Sequence, residues 1–109
     1  MKKTFTLTAE NIQALEKAGA SRWTKHGKDR IYLSRINPEA MGFTVSRYNT
    51  GNISQFLVDG EKVSNANGFR ILDALDGGFF DLQTGELLLT TSRENIFAIA
   101  EEGLKKVLA

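Results

Sequence analysis

The sequence predicts a single α+β domain over residues 1–109: an antiparallel sheet of about five to six strands with three helices, in the order α-β-β-β-β-(β)-α-β-β-α. Three observations carry that prediction. From Trp23 to Val58, apolar and polar residues alternate in short runs broken by Gly, Asn and Pro, the pattern of half-buried strands and tight turns. Three other stretches space their apolar residues three to four apart behind a Thr or a Ser, as amphipathic helices do. No repeat, linker or low-complexity run divides the 109 residues. At that length folding removes roughly two-thirds of the unfolded chain's surface from water, enough for one core.

Each element has a local reason. Thr4–Leu7 reads as a short strand or extended arm. Thr8 then caps a helix from Ala9, with Leu7 and Ile12 as a hydrophobic staple, Leu15 on the apolar stripe and Gly19 as the stop. Trp23–Lys25 and Arg30–Ile36 read as a hairpin around a loop from His26 to Asp29, Ile31 and Leu33 pointing to the core and Arg30, Tyr32 and Ser34 to water. Asn37–Gly42 is a loop opened by Asn-Pro. Strands at 42–48 and 53–58 follow, the second apolar on both faces near its end and so more central. Asp59-Gly60 is a two-residue hairpin signal returning through Glu61–Val63. Ser64 caps a second helix with Phe69, Leu72 and Leu75 as its buried stripe, weakened by Gly68 and ended at Asp76–Gly78. Phe79–Leu82 and Glu86–Thr91 form a last hairpin. Ser92 caps a final helix whose apolar face runs through Ile96, Phe97, Ala100, Leu104, Val107 and Leu108.

Composition narrows the function. The chain has no cysteine, which removes disulfides, thiolate nucleophiles and thiolate zinc sites, and points to a reducing, cytoplasmic setting. The basic opening is interrupted by Thr4, Thr6 and Thr8 and closed by Glu10, so neither an export signal nor a membrane segment is expected. The net charge of +1 hides an asymmetry. Residues 1–48 hold nine cations against four acids, a balance of +5, and residues 49–109 hold five against nine, a balance of −4. Interleaving of strands from both halves would blur that division in space.

Catalytic chemistry has little to stand on. There is one histidine, no phosphate-cradling glycine loop and no serine nucleophile motif, and no residues recur at metal-ligand spacing. His26 reads as a turn residue. Asp59, Asp73, Asp76 and Asp81 are general-base candidates by type alone, and each has a duller role in a turn, a helix surface or a strand. The expectation is a protein that is not an enzyme and needs no cofactor or metal.

One constellation stands out: Arg22, Trp23, Lys25, Lys28, Arg30, Tyr32, Arg35, Arg47 and Tyr48, with His26 among them. Cations interleaved with aromatics suit a macromolecular partner, because Trp, Tyr and Arg dominate protein–protein hot spots. The same residues can meet phosphates and stacked bases. If Arg30, Tyr32, Arg47 and Tyr48 project from adjacent strands, they make one platform. The plainer reading is a solvated strand face, with Trp23 as core. The first expectation is a regulatory or inhibitory protein of the kind a phage or mobile element encodes, binding a protein partner through residues 22–58. The alternative is direct binding of single-stranded RNA or DNA, against which a pI of about 8.0 weighs. An unprotected sheet edge would also allow a homodimer.

Overall fold

Three local signals organise the chain. A computed structural model describes residues 2–109. In it Thr8 caps α1 (Ala9–Lys17), its side chain accepting from the Asn11 amide while the Asn11 side chain accepts from the Thr8 amide in return. The two-residue turn at Asp59-Gly60 has positive φ at both positions, 51° and 83°, as a type I′ hairpin turn requires. Ser64 caps α2 (Asn65–Asp76) through the Asn67 amide.

The α+β class, the three helices and the antiparallel pairing all stand, but the strands form two sheets rather than one. In addition to β1 (Lys2–Thr4), they are β2 (Ser21–Lys25), β3 (Lys28–Tyr32), β4 (Phe43–Arg47), β5 (Ile53–Val58), β6 (Glu61–Val63), β7 (Phe79–Asp81) and β8 (Glu86–Leu88). The larger sheet runs β1-β8-β7-β3-β2 and the smaller β4-β5-β6. The reason is competition for one edge. β7 occupies the free side of β3, pairing Arg30 with Asp81 and Tyr32 with Phe79, so β4 has no place beside β3. The chain turns away first. Leu33 and Ile36 drop into the core, Asn37 donates its amide to the Ala18 carbonyl, and Pro38–Met41 forms a short 3₁₀ helix capped by the Asn37 side chain. β5 is central in its sheet, as expected, but carries a bulge: Ser46 pairs with Gln55 and Arg47 with Ile53, leaving Ser54 as an extra residue. That extra residue resets the alternation, so Ile53 and Phe56 are both buried while Gln55 is exposed.

One core joins both sheets and all three helices. From the larger sheet come Ile31, Phe80 and Leu87, with Leu89 just past the end of β8. From the smaller come Phe43, Ile53 and Phe56, and from the helices Leu15, Ile71, Ala74, Ile96, Ala100 and Leu104. The stripe of α2 is rotated from its expected place. Gly68, Ile71, Ala74 and Leu75 are buried, and Phe69 is 41% exposed. Gly68 faces the Phe56 ring so closely that a Cβ there would lie 2.8 Å from its carbons, which fixes the helix rotation and turns Phe69 outward. α3 (Glu94–Leu108) makes a similar approach through Gly103, over Phe43 and Met41. Its N-cap is Arg93, one residue beyond the expected Ser92, and makes no side-chain cap bond; the Thr91 hydroxyl accepts from the Arg93 amide instead. Glu101 on α3 is buried, with Lys3 of β1 at 2.6 Å and Lys105 at 3.5 Å. No helix among the described residues is long and apolar enough to cross a membrane.

Candidate interaction surface

The β2–β3 hairpin folds the constellation into place. Its loop is shorter than the four residues expected: Lys25 pairs with Lys28, leaving only His26 and Gly27 between the strands. Both have positive φ, 52° and 73°, which glycine accepts freely and histidine tolerates better than branched residues do. The Gln83 side chain reaches from the β7–β8 turn and donates to the Gly27 carbonyl at 3.0 Å, bracing the tip.

Register then sorts the side chains by face. Trp23 lies opposite Arg30, Ser21 opposite Tyr32 and Lys25 opposite Lys28, so all six share one face. Ile31, on the other face of β3, is fully buried, as are Phe80 and Leu87 on the strands beyond it. The face shared by Trp23 and Arg30 is therefore the outer one, away from the core. Trp23, Lys25, His26, Lys28, Arg30 and Tyr32 line a shallow cleft of about 180 Å³ there. Trp23 is 55% exposed and is not core.

The cleft is cationic and its central cation is held in place. The Arg30 guanidinium stacks 4.2 Å from the centre of the Phe79 ring, and Phe79 in turn packs against Tyr32 with ring centres 5.5 Å apart. Arg30 Nη1 donates to the Tyr32 hydroxyl in a long contact of 3.4 Å, and Arg30 Nε is buried without an acceptor. Asp81 is the cross-strand neighbour of Arg30, yet its carboxylate accepts from the Gln83 and Thr84 amides rather than from the guanidinium. Among the described residues Lys25, Lys28 and Arg30 make no ion pair, and Lys25 Nζ lies 5.7 Å from the centre of the Trp23 ring.

Four residues of the expected constellation do not join this cleft. Arg22 alternates to the opposite face, where it donates to both Asp29 oxygens at 3.1 and 2.8 Å while the Thr24 hydroxyl donates to one of them. The hydrogen bond from Arg22 holds the Asp29 carboxyl below the ordinary aspartate range, with Thr24 assisting, and the same pairing raises Arg22. Arg35 sits exposed in the turn after β3. Arg47 and Tyr48 belong to the smaller sheet, with Arg47 donating to the Gly51 carbonyl across the β4–β5 turn and Tyr48 61% exposed beside it. The expected platform of Arg30, Tyr32, Arg47 and Tyr48 on adjacent strands is thus absent, because β3 and β4 lie in different sheets.

Phe79 is the residue that sequence reasoning missed. Phe79 and Phe80 are successive strand residues and must face opposite ways, so one ring had to lie on the outer face. The division of charge by sequence half is also blurred in space: Lys2 pairs with Glu86 and Lys3 with Glu101, each across the two halves. Of the four aspartates considered as bases, none lines the cleft beside His26. Among the described residues no three His, Asp or Glu side chains gather as a metal-ligand set. Comparison with known protein families, curated proteins and solved structures finds no match to this chain.

Proposed function

We propose that this chain is a small non-enzymatic interaction protein that binds an anionic macromolecule through the outer face of the β2–β3 hairpin. The observation that carries the reading is the grouping of Lys25, Lys28 and Arg30 around a half-exposed tryptophan, with no carboxylate among the described residues paired to any of them. Lys25 and Lys28 stand directly opposite each other across the ladder, an arrangement of like charges that destabilises a hairpin unless a counter-charge is supplied. A bound anion supplies it. A regulatory or inhibitory role in the cytoplasm, as for a product of a phage or mobile element, accords with one small cysteine-free domain built around such a face.

The test separates the patch from overall charge. Wild type, a Lys25→Glu/Lys28→Glu variant and a control Lys17→Glu/Lys62→Glu variant are run on immobilised heparin and immobilised polyglutamate. Both variants change net charge equally. Retention of wild type and control with loss of the hairpin variant is the expected result; equal behaviour of the two variants would refute the reading.

A further inference from the structure

Resting on that reading, we infer that the partner is a single-stranded nucleic acid, with a base laid on Trp23 and the adjoining phosphates held by Arg30, Lys25 and Lys28. Charge complementarity limits the occupant to an anion, and the arrangement of the rings narrows it further. Trp23 stands in register with Arg30 and two residues from Lys25, so the indole is framed by cations in a shallow cleft and is itself half exposed. A protein hot spot places its tryptophan in a desolvated apolar centre that a partner's side chains fill. Here a ring face stands beside positive charge, which is the local pattern of a nucleotide: a flat π-surface with a phosphate on either side.

Arg30 adds orientation. Its guanidinium is fixed from below by Phe79 and uses one long hydrogen bond to Tyr32, so most of its donors have no protein acceptor. A guanidinium fixed in this way is prepared to donate to phosphate oxygens without first breaking an ion pair. Single strands are favoured over duplexes because base faces are available only where stacking between bases is released. An extended strand also matches the outer face of a sheet, along which the cations and rings follow one another.

Labelled 12-nucleotide oligouridylate and oligodeoxythymidylate, titrated against the full chain by fluorescence anisotropy, test the inference, with a duplex of equal length, heparin and polyglutamate as comparison ligands. Neutralising about three phosphates should weaken single-strand binding roughly 20-fold between 50 and 200 mM salt. Trp23→Ala should cost about ten-fold or more, in keeping with one lost base stack. In wild type the Trp23 emission should be quenched on addition of oligonucleotide, a readout that needs no variant to fold. Equal affinity for the duplex, or binding of heparin and polyglutamate with no oligonucleotide quenching of Trp23, would overturn the inference and leave the anion-binding face intact. Absence of binding to every polyanion at 50 mM salt would overturn both.

Discussion

Gly68 of α2 lies against the side chain of Phe56 at a distance where a single added methyl would sit 2.8 Å from its Cβ, Cγ and Cδ2. Glycine inside a helix ordinarily costs up to ~1 kcal/mol relative to alanine, so replacing it would normally stabilise. Here the ring is fully buried, so making room for the methyl disturbs the packed core. Gly68→Ala should therefore destabilise, because overpacking costs ~1–3 kcal/mol and exceeds the propensity gain. A lower urea midpoint with an unchanged slope is the expected result.

The rotation that Gly68 imposes on α2 makes a paired prediction. Phe69→Ser removes a large apolar residue from the surface and should change stability by less than ~0.5 kcal/mol. Ile71→Ala, two positions on, empties a fully buried site and should cost about 2–5 kcal/mol. Thermal or chemical denaturation of the two variants side by side checks the assignment of faces.

Trp23 is the only tryptophan, so its emission reports the hairpin alone. An indole 55% exposed among unpaired cations should be quenched about two-fold or more efficiently by iodide than by caesium at low ionic strength, with the difference shrinking as salt is added. Lys25→Glu/Lys28→Glu should reverse the preference.

The Arg22–Asp29 pair sets a pH dependence. Asp29 has a folded pKa below its unfolded one, so the pairing contributes stability above the unfolded aspartate value and loses it as pH falls through the lower, folded value. NMR titration of the Asp29 side chain should give a midpoint below that of free aspartate, and Arg22→Ala should raise it. Binding at the outer face should not follow this titration, since Arg22 and Asp29 point the other way.

Glu101 ties the first strand to the last helix. Glu101→Gln removes the charge that meets Lys3 and Lys105, and should cost about 1–2 kcal/mol, tempered by the exposure of both lysines. Hydrogen exchange of the β1 amides should accelerate more than that of β3.

What the sequence disclosed depended on how far apart the cooperating residues lie. Thr8, Ser64 and Asp59-Gly60 act on neighbours within three residues, so their caps and turn were readable. The choice of β7 over β4 as the partner of β3 is decided between segments about fifty residues apart, and no local pattern records it. The stripe of α2 was misassigned because the residue in closest contact with the core is the one with no side chain. Of the nine interface candidates, alternation alone put Arg30 and Tyr32 on one face. Their grouping with Trp23, Lys25 and Lys28 depended on a loop of two residues rather than four, and the support from Phe79 on a distant strand.

That pairing of β3 with β7 also bears on the order of assembly. β4, β5 and β6 lie within residues 43–63 and are joined by short turns, so the smaller sheet closes cheaply and early. The larger sheet must bring residues 2–4 to residues 86–88 and residues 30–32 to residues 79–81, and its contacts of high sequence separation form late. An isolated β2–β3 hairpin is marginal in water. Arg30 acquires the ring that orients it only once β7 has paired with β3, so a chain still being synthesised, or one nicked before Phe79, lacks the fixed guanidinium. The tip of the hairpin, though early in sequence, is among the last parts of the molecule to become competent.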